Sequence, residues 1–420
     1  MMKRVRMLRT RTNKNRRNTK MNKWITSLFA VALTGSVAFA DVAAPAIAAK
    51  DLEKVVDEAI YVETATKGVV LSGYVDAGYI YNFTNGNNPA AIFGRTTADG
   101  QARGDFSLNA FKLTLQKALS DKNEFQAGFR ADVKIGEDAT NLTGTGAGSS
   151  DTLSLDQAYV IVRAPIGNGL DITVGKFAAL LGYEVDDRPA NLNITHGYDY
   201  VFQSSHQTGV KFFYPVNDII ELQLAVSNGS GIDTNTNSAA IGNLTDTSTD
   251  GYAVNATINI KAPGGNANWF NGIYVSEGTA DGFTNDESAF QWNSWGNWAP
   301  KFANDKLLLG FSTTLGDSAD SDDTLGSDGG YTYFTGSLYA KYQFTQIFSL
   351  AGRGSYLHSI DGAPLAVSSP ENGDAYSFTL TAGFNLLENL LVRAEYRADV
   401  LTSADQDLVN TVAVQAVYTF

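Results

Sequence analysis

The residues best suited to chemistry in this sequence are charged, and two groups of them stand out. One is a short acidic run closed by an arginine: Glu184, Asp186, Asp187 and Arg188. The other is a set of charges in segments of alternating polarity: Arg130, Asp132, Lys211, Arg353, Arg393, Glu395 and Arg397. Fixed charges of both signs facing each other across a narrow space would orient water and attract polar or charged solutes. The chemistry indicated is therefore electrostatic.

Covalent catalysis has little support in the sequence. There are three histidines and no cysteine. Ser205 and His206 are adjacent, and neighbouring residues of a strand point to opposite faces, so they cannot act as nucleophile and base. Neither a G-x-S-x-G elbow nor an H-E-x-x-H helix is present, and the acidic residues between 317 and 328 lack calcium-loop spacing. We predict no catalytic residue, no metal site and no cofactor.

Strands are the elements that must hold these charges. From Val69 onward, polar and apolar residues alternate with a period of two, in segments long enough to cross a bilayer. In Leu390–Val400, for example, Val392, Ala394 and Tyr396 alternate with charged residues. This pattern predicts one face in lipid and the other in water, repeated over about sixteen strands.

The connections between these segments alternate between short turns and long loops rich in Gly, Asn, Asp, Ser and Thr. Membrane barrels have short periplasmic turns and long outer loops. The sequence therefore predicts an all-β fold, a transmembrane antiparallel up-and-down β-barrel of about sixteen strands preceded by a short periplasmic helical segment. Such a barrel is too wide for side chains to fill. In similar sixteen-stranded outer-membrane barrels the third outer loop folds inward, and by this similarity we expect the loop 178–204 to narrow the barrel, with Glu184, Asp186, Asp187 and Arg188 facing the charged wall.

The N-terminus reads as an export signal. A basic stretch precedes the apolar run Trp24–Ala40, which ends in small residues typical of signal-peptidase sites. We predict a signal peptide over 1–40, with Met21 as an alternative start, a periplasmic segment over 41–68 and a barrel over 69–420. With 44 acidic against 31 basic side chains, the chain is not expected to bind nucleic acid.

The C-terminus ends in an amphipathic strand with an aromatic last residue. Tyr418 and Phe420 share its apolar face, and a final phenylalanine of this kind is similar to the assembly signal of bacterial outer-membrane proteins. The expected location is the bacterial outer membrane. The expected partners are its lipid and lipopolysaccharide, the barrel-assembly machinery and small polar solutes, and similarity to sixteen-stranded outer-membrane barrels implies a homotrimer.

Several short motifs resemble a known family. Gly175-Lys176-Phe177, Gly182-Tyr183-Glu184, His206-Gln207-Thr208-Gly209-Val210 and Ser227-Asn228-Gly229 occur in this order. They resemble the OmpL-like β-barrel porin family, although Gln207 interrupts its "HTGV" motif and Ser230 replaces an aromatic residue. The resemblance implies a porin role without an assigned substrate.

Three functions are compatible with the sequence. The first is an outer-membrane porin that forms a water-filled channel for passive diffusion of small hydrophilic solutes or ions. The second is a structural or adhesive barrel whose lumen is plugged by 178–204 or by 41–68. The third is a soluble exported β-sandwich or sugar-binding protein. Because wall and chain carry opposite net charges, cation and anion selectivity both stay open.

Overall fold

The structure is a computed structural model in which part of the chain is described. The described residues are 68–83, 104–141, 153–203, 206–228, 249–280, 286–304, 306–319, 331–360, 372–401 and 408–420. The predicted signal peptide and all but the last residue of the predicted 41–68 segment lie outside them. Both remain predictions.

Sixteen strands of nine to sixteen residues make up most of the described chain. In chain order they are β1 Val70–Asn82, β2 Gly104–Lys117, β3 Gln126–Ile135, β4 Leu153–Ala164, β5 Leu170–Ala178, β6 His206–Pro215, β7 Ile220–Asn228, β8 Thr249–Lys261, β9 Ala267–Ala280, β10 Asp286–Trp298, β11 Leu307–Ala319, β12 Tyr331–Gln343, β13 Phe348–Ile360, β14 Asn372–Leu387, β15 Leu390–Leu401 and β16 Leu408–Thr419. Two short helices, α1 Glu137–Asn141 and α2 Tyr198–Val201, and two 3₁₀ turns, Arg188–Ala190 and Lys301–Ala303, lie between strands. No helix in the described ranges is long and apolar enough to cross a membrane.

Every strand pairs antiparallel with its sequence neighbours, and β1 pairs with β16, so the sheet is a closed barrel. The last residue takes part in this closure: Phe420 N–H donates to the Gly73 carbonyl at 3.0 Å, and Gly73 N–H donates back at 2.9 Å. Closure leaves no unpaired strand edge, which satisfies the backbone without water in the hydrocarbon layer. The predicted sixteen-stranded up-and-down barrel is confirmed.

The two faces of the sheet have opposite polarity, as predicted. On β14 and β15 the inward side chains Thr379 and Arg397 are 0% and 1% exposed, whereas the outward Phe378 and Tyr396 are 54% and 43% exposed. Apolar side chains on the outside and polar ones inside reverse the pattern of a soluble protein. This arrangement is stable where lipid covers the outer face.

The connections on one rim of the barrel, here called the turn rim, are all short, from two residues between β14 and β15 to eight between β2 and β3. The opposite rim, here called the loop rim, carries the long connections, but only residues 281–285 separate β9 from β10 and only residues 402–407 separate β15 from β16. The alternation in length is therefore weaker than the sequence indicates. By the rule for membrane barrels, the turn rim faces the periplasm.

Aromatic side chains form a row at the turn rim. Tyr342 and Phe344 rings lie 4.8 Å apart, and Phe344 contacts Phe348, which contacts Phe384 at 5.2 Å. Aromatic rings favour the boundary between hydrocarbon and water, so this row marks a membrane interface.

Candidate functional site: a loop across the barrel lumen

The connection between β5 and β6 folds into the barrel. Its described residues 179–203, here called the lumen loop, include the 3₁₀ turn Arg188–Ala190 and helix α2. Arg188 and His196 are 0% exposed and Tyr198 is 1% exposed. A connection on the outer surface would expose most of such side chains to water. The burial therefore indicates that the barrel wall surrounds the loop.

Two glycines, one on β5 before the lumen loop and one on β9 beside it, lie where a side chain would not fit. Gly175 on β5 has φ +133°, and a Cβ there would lie 2.3 Å from the Ala158 carbonyl oxygen. On β9, a Cβ at Gly272 would lie 2.2 Å from a methyl carbon of Leu181 on the lumen loop. The first glycine adopts a left-handed backbone, and the second leaves room for the loop to touch the wall.

The acidic part of the lumen loop binds the wall at β2 and β3. Asp187 contacts the ammonium of Lys112 at 2.6 Å and that of Lys134 at 3.7 Å. Lys112 also pairs with Asp132 at 2.9 Å, and Lys134 with Asp156 at 2.7 Å. The four wall groups are buried, whereas the Asp187 side chain is 34% exposed. Asp187 is thus both a wall contact and a charge open to water.

Three wall arginines on β13 and β15 hold the loop by its backbone carbonyls. Arg353 donates to the carbonyls of Thr195 and His196 at 2.5 and 3.0 Å. Arg397 donates to the His196 carbonyl at 2.5 Å. Arg393 donates to the carbonyls of Asn191 at 2.7 Å and Arg188 at 3.0 Å. These sequence-predicted wall residues lie together, and each binds the loop.

Two carboxylates complement these arginines by accepting loop N–H groups. Glu395 on β15 accepts from the N–H groups of Ile194 at 2.5 Å and Thr195 at 3.0 Å. Glu184 on the loop accepts from Gly197 N–H at 2.5 Å and pairs with Arg353 at 2.6 Å. Burial of peptide groups is costly unless they are hydrogen-bonded. Charged side chains of the wall and of the loop itself therefore provide hydrogen-bond partners for loop peptide groups that do not pair within a strand or helix.

A buried ion pair fixes the loop at its 3₁₀ turn. Arg188 Nε donates to Asp138 of helix α1 at 2.8 Å, and both side chains are at most 1% exposed. Arg188 also donates to the Ile194 carbonyl at 3.0 Å. Asp138 carries no sequence signal for this role, because it lies in a different connection, and only the fold brings it to the loop.

The far side of the lumen loop packs through aromatic rings. Phe202 stacks on Tyr333 of β12 with centroids 4.0 Å apart, and Tyr183 stacks on Tyr339 at 4.2 Å. Tyr183 also touches Trp295 of β10, at 5.7 Å between centroids. An apolar core therefore lies inside the barrel, between the loop and residues of strands β8 to β14. The alternating pattern does not predict this core, because the inward positions of a wide barrel are expected to be in contact with water.

The two neighbouring aspartates of the lumen loop ionise differently. Burial raises the pKa of Asp186 to about 7, although Lys134 and the hydroxyl of Tyr200 act in the opposite direction. Burial also opposes ionisation of Asp187, but Lys112 and Lys134 hold the pKa of that carboxyl well below its usual range. Asp186 therefore takes up a proton at a higher pH than an ordinary carboxylate does, whereas Asp187 stays charged.

Of the remaining sequence-predicted site residues, Arg130 adjoins the anchors on β2 and β3 through Asp132, which also pairs with Lys112. Arg130 binds Asp132 at 2.8 Å and keeps 27% of its side chain exposed. Lys211 lies over the Phe177 ring, 5.3 Å from its centroid. Tyr418 points outward and is 48% exposed. Within the described part of the chain, no group of three or more His, Asp or Glu side chains could hold a metal ion.

Comparison with protein families identifies the chain. The family described as "Putative beta-barrel porin-2, OmpL-like" matches residues 68–420. The chain belongs to this OmpL-like porin family. The protein is therefore an outer-membrane porin whose barrel forms a channel for passive diffusion, and family and fold point to a channel rather than an enzyme. Among curated proteins, none is a significant match to the porin's sequence.

Solved structures similar to the porin include outer-membrane proteins. The channel DcaP of Acinetobacter baumannii is 12% identical, with a TM-score of 0.57 over 86% of this chain and 100% of that chain. Pseudomonas putida OprB is 13% identical, with a TM-score of 0.58 over 84% and 94%. A trimer form of Vibrio cholerae OmpT is 10% identical, with a TM-score of 0.54 over 84% and 99%. At these identities the similarity is one of fold.

Proposed function

We propose that the lumen loop limits passage through this porin, so that solutes move between the loop and the charged wall. The observation that supports this is that one loop binds β2 and β3 through Asp187, β13 and β15 through its backbone, and β10 through the ring of Tyr183. In this barrel of sixteen strands, β2 and β10 are eight strands apart and therefore lie on opposite sides of the lumen. A segment anchored at such separated points spans the lumen.

The charged site residues would then divide into two roles. Arg353, Arg393, Arg397, Glu395 and Glu184 position the loop, since their hydrogen-bonding groups are used in holding it. The groups that water reaches are those that solutes would meet, and Asp187 and Arg130 have the larger exposed fractions, 34% and 27%. Opposite charges near the narrowest point would favour polar and charged solutes over apolar ones.

Liposome swelling tests this proposal. Liposomes that contain the purified porin should swell in isotonic solutions of small neutral sugars, and the rate should fall steeply as the sugar becomes larger. Protein-free liposomes are the control. Swelling without size dependence would contradict a loop-limited passage.

A plugged barrel with a structural or adhesive role is the second candidate. It is favoured by the burial of inward wall groups on many strands, such as Asp76, Asn255 and Thr335, each 0% exposed. In that case liposomes would not swell with any sugar, and the folded protein would produce no current steps in a planar bilayer. The same preparation therefore separates the two candidates.

We also propose that the porin assembles as a homotrimer embedded among lipopolysaccharide and inserted by the barrel-assembly machinery. The trimer form of OmpT, a protein of similar fold, supports the first part. Light scattering in detergent, corrected for bound detergent, should give three chains per particle. A mass of one chain would contradict the trimer.

A further inference from the structure

A strip of uncharged polar side chains lies on the inner face of strands β6 to β8. Its members, here called the amide strip, are Gln207 on β6, Gln223 and Ser227 on β7, and Asn255 and Thr257 on β8. Each is at most 4% exposed. The strip is continuous across the sheet, since Gln223 and Thr257 are paired in register and Asn255 follows on the same face of β8.

Much of the hydrogen-bonding capacity of the amide strip is unused. The atoms without a hydrogen-bond partner in the described part of the chain are both amide atoms of Gln207 and Asn255, the amide nitrogen of Gln223 and the hydroxyls of Ser227 and Thr257. On β10 the corresponding groups are used, since Asn293 accepts from Gly182 N–H at 3.2 Å and donates to Thr314 at 2.9 Å. Burial of a polar group without a partner is unfavourable. The strip is therefore suited to a partner from outside the chain.

Two leucines at the start of the lumen loop cover this part of the wall. Leu180 belongs to an apolar cluster with Ala225, whose neighbour in register is Asn255. Leu181 lies against Gly272 of β9. Leucine side chains neither donate nor accept hydrogen bonds, so the loop covers a polar wall with an apolar surface here. On β13 and β15, in contrast, charged side chains hold the loop.

Aromatic rings border the amide strip on β9. Tyr274 is paired with Asn255, and Phe270 is paired with Asn259 nearer the turn rim. Both rings are at most 2% exposed. Amides and hydroxyls together donate and accept hydrogen bonds, as the hydroxyl groups of a sugar do. An aromatic face suits the C–H groups of a sugar ring, so the wall offers both kinds of contact side by side.

The amide strip has no charge of its own, and the charges that border it have partners. Lys211 of β6 lies over the Phe177 ring, 5.3 Å from its centroid. Glu221 of β7 pairs with Lys261 and accepts from the amide of Asn259 at 2.9 Å. An ion that left water here would meet no opposite charge within the strip, whereas a neutral solute would exchange hydrogen bonds with water for hydrogen bonds with amides. The strip therefore favours uncharged solutes rich in hydroxyl groups.

We propose that the amide strip is a binding site for uncharged, hydroxyl-rich solutes such as monosaccharides, which enter between the wall and the lumen loop when Leu180 and Leu181 move away. Asn255 and Gln223 exchange hydrogen bonds with the hydroxyl groups, and Tyr274 contacts the C–H groups. Binding is weak, because a solute that passes through a channel must leave each site as readily as it enters. This proposal rests on the proposed function of a conducting lumen and names its class of solute.

Glucose and triethylene glycol test the site. Both are neutral and similar in size, but glucose has more hydroxyl groups. Channels in a planar bilayer are recorded in potassium chloride with either compound added, and each current is divided by the conductivity of the same solution. Glucose should reduce this corrected current at a concentration about fivefold lower than triethylene glycol, the factor that one hydrogen bond of average net strength provides.

Three variants separate the contributions. Asn255→Leu keeps the branched shape of the side chain without its hydrogen-bonding atoms, and Gln223→Met does the same on β7, so each should remove the preference for glucose. Asn259→Leu is the matched control, on the same face of β8 as Asn255 but with an amide that already donates to Glu221, and should keep the preference. Heat-modifiable gel mobility checks that each variant is folded, and either strip variant alone suffices for the test.

The outcomes distinguish this site from the function on which it rests. A wild-type protein that gives no current in potassium chloride refutes the conducting lumen itself. A protein that conducts but responds equally to glucose and triethylene glycol refutes the amide strip as a sugar site. An undiminished preference in a folded strip variant, or an equal loss of preference in Asn259→Leu, would also refute it.

Discussion

At the scale of single residues, the buried pair of Arg188 and Asp138 is expected to be the strongest local anchor of the lumen loop. Arg188→Gln leaves the Asp138 carboxylate buried without its charged partner, which costs about 3–5 kcal/mol in comparable sites. The expected result is faster hydrogen exchange of amides in the lumen loop, with the strands unchanged. Mass spectrometry of exchanged peptides measures this.

Arg163→Gln provides the control for that experiment. Arg163 pairs with Asp171 at 2.6 Å near the turn rim, where its side chain is 18% exposed. Partly exposed pairs contribute about 1 kcal/mol or less. Equal effects of the two substitutions on loop exchange would show that burial of the Arg188 pair has no special importance.

Asp186 should make the packing of the loop depend on pH. Its pKa in the folded protein, about 7, is above the value of about 3.9 in an unfolded chain. The folded loop therefore binds the proton more tightly, and its stability is highest at low pH and falls as the pH rises towards 7. His206 Nδ1 lies 3.2 Å from the Asp186 carboxylate, so both groups share this environment.

Hydrogen exchange measures the effect, after correction for the intrinsic pH dependence of exchange. Loop amides should be more protected at pH 5 than at pH 8, and Asp186→Asn should reduce the difference. Equal protection of the wild-type loop at both pH values, or an undiminished difference in the variant, would contradict this account of Asp186.

The sequence identifies individual charged residues better than it identifies their partners. Parity along a strand places Arg353, Arg393 and Arg397 on the inward face, because the side-chain period of a strand is two. The carbonyl groups that these arginines bind belong to a loop without periodicity. Nothing in the residue types of that loop indicates which backbone atoms face the wall, so these contacts could not be predicted.

At the scale of elements, alternation locates strands within the membrane but not their ends. The alternation of polar and apolar residues in β14 covers 375–386, whereas the strand extends over Asn372–Leu387. The alternation is lost at the added residues. One of them, Asp374, accepts a hydrogen bond from the hydroxyl of Tyr356 at 2.7 Å. A strand that continues above the hydrocarbon layer needs no apolar face, so its pattern changes before its pairing does.

Contact between the lumen loop and β9 depends on a single glycine. A side chain at Gly272 would occupy the position of Leu181, so Gly272→Val should displace the loop at a cost of about 1–3 kcal/mol, typical of overpacking. Limited proteolysis should cut the lumen loop faster. Gly354→Val is the control, since a Cβ there meets nothing within 4 Å, and cleavage at the wild-type rate in Gly272→Val would argue against the contact.

The N-terminal segment yields a separate prediction. If residues 1–40 are a signal peptide, the protein purified from outer membranes begins at Asp41, because signal peptidase cuts after small residues such as Ala38 and Ala40. N-terminal sequencing determines this directly. A mature chain that retains Trp24 would refute the assignment.

At the scale of the whole molecule, the barrel and its lumen loop contribute differently. Sixteen strands close through hydrogen bonds between neighbours, so the wall does not depend on the loop for its backbone pairing. The loop depends on the wall, since arginines of β13 and β15 and lysines of β2 and β3 hold it. The barrel should therefore fold without the loop, whereas the loop would have no structure without the barrel.

The most direct test of this account is the single-channel conductance of the wild-type protein and of a variant in which residues 183–200 are replaced by a short glycine-serine linker. Heat-modifiable mobility first shows that the variant is a folded barrel. We predict small, stable current steps for the wild type and clearly larger steps for the variant, because the obstruction has been removed. Equal steps from both proteins, or none from either, would contradict a water-filled barrel narrowed by this loop.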